Sequence, residues 1–138
     1  MVKYSIANLL IIISIYFYFG KIALIGFIAA AIIGILQLET VNYIEHYGLL
    51  RKKNKLGRYE KVRHHHSWNS DHVIGKLMLF NLSRHSDHHY NGSKHYQILK
   101  SLPESPEMPT GYPGMMLLSL IPPLWFKYMN GKISKIEN

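Results

Sequence analysis

The chain has 138 residues, with 16 Lys and Arg against eight Asp and Glu, nine His and no Cys. That length allows one modest domain. The absence of cysteine excludes a disulfide scaffold, a thiolate metal site and a cysteine nucleophile. The residue classes are segregated, since residues 1–38 hold two lysines and no acid or histidine. An ordinary soluble domain mixes these classes along its length.

Two uncharged apolar runs occupy the N-terminal part, over residues 4–19 and 22–38, with Gly20 and Lys21 between them. At about 1.5 Å per residue, each run reaches roughly 25 Å as a helix, which is near the thickness of a bilayer core. We therefore predict a transmembrane helical hairpin. A signal peptide starting at Lys3 is the alternative, and the second apolar run that follows at once disfavours it.

Charge predicts the orientation of this hairpin. Seven basic residues follow the second run between positions 51 and 63, whereas the turn carries only Lys21. The positive-inside rule then places both termini in the cytoplasm, and we expect a bacterial inner membrane. The net charge of +8 is explained by this cytoplasmic flank, which attracts membrane lipid. We expect no nucleic-acid partner.

Polar side chains end the second helix. Glu39, Asn42 and His46 share one helical face, and Glu45 lies beside it. Polar groups at membrane depth are costly and by default mark a functional site. The alternative is an interfacial helix end, which accounts for Glu45 better than for the other residues. Gly48 is a predicted helix stop.

All nine histidines lie between positions 46 and 95. His85, His88 and His89 fall on one face of a helix, so their imidazoles can converge on a metal ion. Asp87 lies within reach of a ring N–H, which is a common arrangement behind a metal ligand. Imidazole suits Zn, Fe, Cu and Ni alike, so the spacing leaves the metal open.

The preceding residues have a helical apolar pattern at Val73, Ile74, Leu77, Met78 and Phe80. With a cap at Asn69, Ser70 or Asp71 and an end at residues 90–92, they predict a single amphipathic helix of about twenty residues. The consecutive histidines 64–66 point in different directions in any regular structure, and a solvated basic linker is the favoured interpretation. His72 and His95 receive no role.

Four of the six prolines fall between positions 101 and 114. Such a segment is predicted to be an extended loop, which could act as a lid. Residues 115–129 are apolar but interrupted by Pro122 and Pro123. They fit a short interfacial segment with Trp125 and Tyr128 as headgroup anchors, or a buried core helix. Residues 131–138 are predicted to be a polar tail.

Several segments together resemble the membrane alkane monooxygenases. They are residues 42–49 (NYIEHYGL), 66–70 (HSWNS), 82–89 (LSRHSDHH), 108–112 (MPTGY) and 122–126 (PPLWF), in the same order. The resemblance covers residues 30–130. It implies membrane helices with a cytoplasmic, histidine-held di-iron centre that hydroxylates the terminal carbon of an alkane or fatty-acyl substrate. It also implies O2 as oxidant and a rubredoxin or ferredoxin as electron donor.

Carried over position by position, the resemblance makes His46, His85, His88 and His89 iron ligands, with Glu45 and Asp87 acting beside them. Ser83 stands where the family usually has Gln. The family also has two upstream boxes, His-Glu-x-x-His-Lys and Glu-His-x-x-Gly-His-His, and residues 1–38 contain no histidine. We therefore expect the C-terminal portion of the enzyme, inactive alone. It is either a split-gene subunit, with an upstream half as a separate partner, or a truncated product.

The expected fold is an all-α membrane protein in three parts. A transmembrane hairpin occupies residues 1–50, a cytoplasmic His-rich helical region residues 51–100, and a Pro-rich loop with an interfacial apolar segment residues 101–138. Two other functions remain open. One is a fatty-acid desaturase or hydroxylase of the same superfamily, and the other is a catalytically inactive membrane fragment that binds metal.

Overall fold

The computed structural model describes residues 1–137, and the side chains of residues 1–136. Five α-helices follow one another: α1 (Val2–His46), α2 (Val73–Met78), α3 (His85–Tyr90), α4 (Tyr112–Ser119) and α5 (Pro122–Glu137). Two 3-10 turns add His64–His66 and Tyr96–Ile98. Within the described residues the extended segments pair only as isolated bridges. The prediction of an all-helical chain is confirmed.

Helix α1 is interrupted at Gly20, whose backbone angles are φ 83° and ψ 178°. This conformation is essentially restricted to glycine, so the sequence sets the break where two apolar runs meet. An unbroken helix of 45 residues would be about 68 Å long, more than twice a bilayer core. The predicted break is confirmed, whereas the antiparallel return of the second half stays a prediction.

The chain forms two compact units, Met1–Glu39 and Thr40–Asn138. In the first unit the large apolar side chains are exposed along the helix. Among the described residues, α1 alone is long and apolar enough to cross a membrane. Burying these side chains in lipid would remove from water an apolar surface that the protein itself does not cover.

The expected helix of about twenty residues before His89 is wrong. Helix α2 ends at Met78, and α3 begins only at His85. Between them Phe80 (φ 50°) and Asn81 (φ 65°) adopt left-handed backbone angles, which a continuing α-helix cannot contain. Helix α2 also starts after His72 without a side-chain cap. Its buried residue is Gly75, while Ile74 and Leu77 remain exposed.

The C-terminal part also differs from expectation. Helix α4 begins at Tyr112, inside the predicted loop, because Pro113 is tolerated in a first turn whose N–H groups lack helical partners. Helix α5 begins at Pro122 for the same reason, so the predicted interruption is confirmed. It continues to Glu137, so the predicted polar tail is helical over residues 131–137.

The second unit has one hydrophobic core, in which helices α4 and α5 pack around the end of α1 and the Trp68 segment. Trp125 is 1% exposed, so its predicted place as a headgroup anchor is wrong, whereas Tyr128 is exposed and the interfacial placement of residues 115–129 stays a prediction. Histidines 64–66 form a turn with His66 buried, which also corrects the solvated linker. The buried residues of this core are Ile44, Trp68, Met108, Tyr112, Met115, Trp125 and Met129.

The predicted helix stop at Gly48 is confirmed, since this residue has φ 73° two positions after α1 ends. A Cβ atom at position 48 would lie 2.0 Å from Ile133 Cδ1, on helix α5. Gly48 therefore provides both a left-handed turn and the close approach of α5.

We expect Gly48→Ala to destabilise the chain more than Gly57→Ala. Both glycines have φ 73°, but nothing lies within 4 Å of a Cβ at Gly57. Each substitution costs about 1–2 kcal/mol of backbone strain. Gly48→Ala also forces the end of the Ile133 side chain to move, which adds about 1 kcal/mol, the lower end of overpacking costs. Thermal unfolding in detergent, followed by the near-UV circular dichroism of the two tryptophans, measures the difference. Equal losses would contradict the packing against Ile133.

Candidate metal centre

A short segment, residues 67–70, ties the end of α1 to the rest of the second unit. We call it the Ser67–Ser70 strap. The Trp68 backbone N–H donates to the Glu45 carbonyl, and its indole Nε1 donates to the Tyr47 carbonyl, each over 2.8 Å. The last carbonyls of a helix have no partner within the helix. The strap therefore satisfies the end of α1 and stays fixed to it.

The same strap holds α3. The Asn69 Oδ1 atom accepts hydrogen bonds from both the backbone N–H and the hydroxyl of Ser86, each over 2.9 Å. The Ser70 N–H donates to the Ser83 carbonyl over 2.9 Å. Asn69 and Ser86 are almost completely buried, where such bonds are costly to lose. These contacts bring the start of α3 beside the end of α1.

Three histidine side chains meet at this junction. One ring nitrogen from each of His46, His85 and His89 lies within 4.8 Å of the others. The Nε2 atoms of His46 and His85 are 3.1 Å apart. Two nitrogens bound to one ion at about 2.0–2.1 Å are separated by roughly 3.0–3.4 Å. We call these three residues the histidine cluster, and its nitrogens fit a first-row metal ion.

The orientation of His46 is set by the strap. Its Nδ1 atom lies 3.4 Å from the Ser67 hydroxyl, and Ser67 is fully buried. With the ring proton assigned to Nδ1, that nitrogen donates to Ser67 and the Nε2 lone pair faces the cluster. Metal-binding histidines are commonly held in this way by a hydrogen bond to the other ring nitrogen.

Burial and the neighbouring histidines keep two members of the cluster, His85 and His89, neutral. The pKa of His85 is lowered to about 3, mainly by burial and in addition by the neighbouring His89, His46 and His88. Burial also lowers the pKa of His89, with His46 and His88 adding to the effect. Only a neutral imidazole has a lone pair for a metal. His85 and His89 therefore present lone pairs without first releasing protons at neutral pH.

His88 lies apart from this group. Its ring centroid is 6.1 Å from that of His85 and 5.7 Å from that of His89. Its Nδ1 atom is buried without a hydrogen-bond partner. The four histidines expected from the sequence thus divide into three that converge and one that does not, and the roles of all four as ligands remain predictions.

Glu45 lies next to the cluster and is 4% exposed. Its Oε2 atom is 3.4 Å from His85 Nε2, and its Oε1 atom accepts a hydrogen bond of 2.5 Å from the Tyr112 hydroxyl. Burial raises the pKa of Tyr112, and Glu45 raises it further. The hydroxyl therefore stays protonated and donates to Glu45.

Asp87 was predicted to accept a hydrogen bond from a histidine ring N–H, but its contacts in the structure are with two lysines. Its Oδ2 atom accepts from Lys94 Nζ over 2.5 Å and from the Lys100 N–H over 2.7 Å. Burial by itself raises its pKa, but these donors outweigh that effect and the pKa of Asp87 is lowered. The carboxylate holds the loop after α3, and a role beside the metal stays a prediction.

A second group of potential ligands, formed by Glu60, His65 and His66, is better explained as structure. His66 Nδ1 accepts from the Arg63 N–H over 2.9 Å, so a neutral ring carries its proton on Nε2. That nitrogen faces Glu60 Oε1 at 3.4 Å and has no lone pair for an ion. Glu60 also accepts from the Lys52 N–H over 2.8 Å, which closes the basic loop.

A cleft of about 470 Å³ opens on the free side of the cluster, where His46 and His89 line its wall. The rest of this wall is lined by Leu49, Leu50, Arg51, Tyr59, Val62, His66 and Ser67. The cluster is therefore accessible from one side, while Glu45 and Tyr112 are buried behind it.

Sequence reasoning did not assign Ser67, Asn69 or Tyr112 to the site. The first two lie in the HSWNS segment and the third in the MPTGY segment, which were noted only as resemblances. Their roles depend on contacts over 17 to 67 positions. The motifs themselves were the only available signal, since a lone serine, asparagine or tyrosine has no distinctive spacing.

Fold and site together define a helical protein with a membrane-type helix and a histidine cluster able to hold metal. The sequence profile of the fatty acid desaturase family matches residues 2–119, and the chain belongs to this family. It is 49% identical over 115 residues to alkane 1-monooxygenase 1 of Pseudomonas aeruginosa. It is 50% identical over 110 residues to the alkane 1-monooxygenase of Pseudomonas putida.

Alkane 1-monooxygenase 2 of Alcanivorax borkumensis is 47% identical over 114 residues. The three matches cover 83%, 73% and 83% of this chain, but 30%, 27% and 30% of the relatives. The resemblance to alkane monooxygenases is confirmed, and the chain spans less than a third of the length of these relatives.

We expect His85→Ala and His88→Ala to differ in Co²⁺ binding by the isolated chain. Removing His85 takes a nitrogen from the cluster and should weaken binding by about tenfold or more, at least as much as loss of an orienting partner. His88→Ala and the control His95→Ala should leave the Kd unchanged. Titration in detergent, followed by the visible absorption of Co²⁺, measures this. Equal weakening by His88→Ala would place all four histidines on one ion.

Proposed function

We propose that this chain is the C-terminal portion of a membrane non-haem di-iron monooxygenase. The enzyme would hydroxylate the terminal carbon of an alkane with O2 and two electrons from a rubredoxin-type donor. In this reaction one oxygen atom enters the alcohol and the other leaves as water with two protons. The single observation that carries the proposal is the convergence of His46, His85 and His89 in a chain about half identical to alkane 1-monooxygenases.

The cluster fits one iron ion by its donor set and spacing. When bound, iron would supply the activation of O2, which no side chain can perform alone. His46, His85 and His89 would hold one ion, and His88 would contribute to a second. The remaining ligands would come from an upstream portion, because the relatives are about three times as long as the part matched here.

The chain's own residues prepare this site. Ser67 orients the His46 ring, and burial keeps His85 neutral. The cleft beside His46 and His89 admits the missing ligands and the substrate from the same side. Glu45 places a carboxyl group next to His85, where it favours a cation. A desaturase or hydroxylase of the same superfamily would use the same cluster, and the product distinguishes these reactions.

The isolated chain should bind a single metal ion rather than two, and it should make no alcohol. Coexpression with an upstream portion carrying the two missing boxes should raise iron to two per complex and yield 1-octanol from octane, reductant, rubredoxin and O2. In that complex His88→Ala should abolish the product while His95→Ala stays active. Iron analysis and gas chromatography measure both. Alcohol formation by the isolated chain would contradict the proposal.

We further propose that the chain lies in a bacterial inner membrane with both termini in the cytoplasm. The chain contains no cysteine, so single-cysteine labelling tests this directly. Lys21→Cys lies at the break in α1, and Lys55→Cys in the basic loop. A membrane-impermeant maleimide added to intact spheroplasts should label only Lys21→Cys, and lysis should expose Lys55→Cys. The reverse pattern would overturn the orientation.

A further inference from the structure

We propose that Tyr112 is a positioning residue that holds the Glu45 carboxyl group against the histidine cluster. Gly75, on helix α2, would keep the tyrosine ring in place. The inference rests on the proposed metal centre, but it assigns a task to two residues outside the ligand set.

The two oxygens of Glu45 face opposite partners. Oε1 accepts the 2.5 Å hydrogen bond from Tyr112, and Oε2 lies 3.4 Å from His85 Nε2. Because both contacts involve one planar carboxyl group, fixing Oε1 also fixes Oε2. The hydroxyl of Tyr112 thereby determines how the carboxyl group faces the cluster.

The backbone anchors Glu45 from the other side. Its carbonyl accepts the N–H of Trp68 over 2.8 Å, so the main chain cannot shift to compensate for a lost side-chain bond. At 4% exposure the carboxyl group also has little water to replace the tyrosine. Without the hydroxyl, the buried carboxyl group would have to turn towards another donor and away from its present position.

The ring of Tyr112 is itself tightly placed. It lies in the hydrophobic core with 2% exposure, at the first residue of α4. A Cβ atom on Gly75 would lie 3.2 Å from Tyr112 Cδ2, closer than ordinary van der Waals contact. Gly75 is the buried residue of α2, and α2 contacts the Tyr112 ring at this position. Any side chain at position 75 would push the ring away.

This arrangement would act on a bound cation through charge. The carboxylate form of Glu45, next to His85, attracts a divalent ion, and the attraction is stronger beside a carboxylate that is 4% exposed than between charges in water. It falls when the carboxyl group turns away. Tyr112 therefore acts through Glu45 and needs no contact with the ion.

The test compares Tyr112→Phe with Tyr47→Phe in the full chain, loaded with Co²⁺ in detergent. Phenylalanine keeps each ring and removes one hydroxyl. The Tyr47 hydroxyl bonds Asn130 over 2.8 Å, outside the cluster, and makes a matched control. We expect Tyr112→Phe to weaken Co²⁺ binding by about tenfold, as loss of an orienting partner does. It should also shift the visible absorption bands of bound Co²⁺, while Tyr47→Phe changes neither.

Two further variants separate positioning from folding. In a Glu45→Gln background, Tyr112→Phe should have no additional effect on the Kd, because the amide carries no charge to direct. Gly75→Ala should reproduce the band shift in weaker form, since its methyl group displaces the ring by a few tenths of an ångström. Near-UV circular dichroism of the two tryptophans reports whether the core is intact in each variant.

The outcomes separate failure of the metal centre from failure of the role proposed for Tyr112. If the unmodified chain binds no Co²⁺, the metal centre and the inference both fail. If it binds Co²⁺ and Tyr112→Phe matches Tyr47→Phe in affinity and spectrum, the inference alone is overturned. An equal loss from Tyr112→Phe in the presence and absence of the Glu45 carboxylate would also overturn it, because the effect would then not pass through Glu45.

Discussion

The hydrogen bonds of the Ser67–Ser70 strap join the end of α1 to the start of α3, and the histidine cluster depends on them. His46 and His85 are 39 positions apart, and helix ends leave backbone groups that require partners. Trp68 supplies donors to α1, while Asn69 receives donors from Ser86 on α3. One extended segment thereby satisfies two helices and sets the distance between their histidines.

Residues with a strong local preference could be predicted from the sequence. Gly20 breaks α1, and Gly48 forms the turn that follows the end of α1. Both roles require the positive φ angles that glycine adopts. Pro122 opens α5 because the first turn tolerates proline. His85 and His89 converge because they are one helical turn apart, whereas His46 joins them only through long-range contacts. The i, i+4 spacing survives even though α3 has only six residues.

The remainder depended on long-range packing that no local pattern contains. The apolar spacing from Val73 to Phe80 suggested a long helix, but two left-handed residues at positions 80 and 81 ended it. Tryptophan is typical of membrane interfaces, which led to the prediction for Trp125, yet the rings of Tyr43 and Tyr47 cover this residue in the core. The tyrosine that bonds Glu45 lies 67 positions away. Helical spacing placed His88 with its neighbours, whereas its ring lies apart from the other three.

The central claim is that three imidazoles of this chain converge on one metal ion. X-ray absorption of the Zn²⁺-loaded chain tests it most directly, because multiple scattering counts imidazole rings and the first shell gives their distance. We predict three imidazole nitrogens at about 2.0–2.1 Å, with oxygen completing the shell. A shell of oxygens with one imidazole or none would contradict the convergence of His46, His85 and His89.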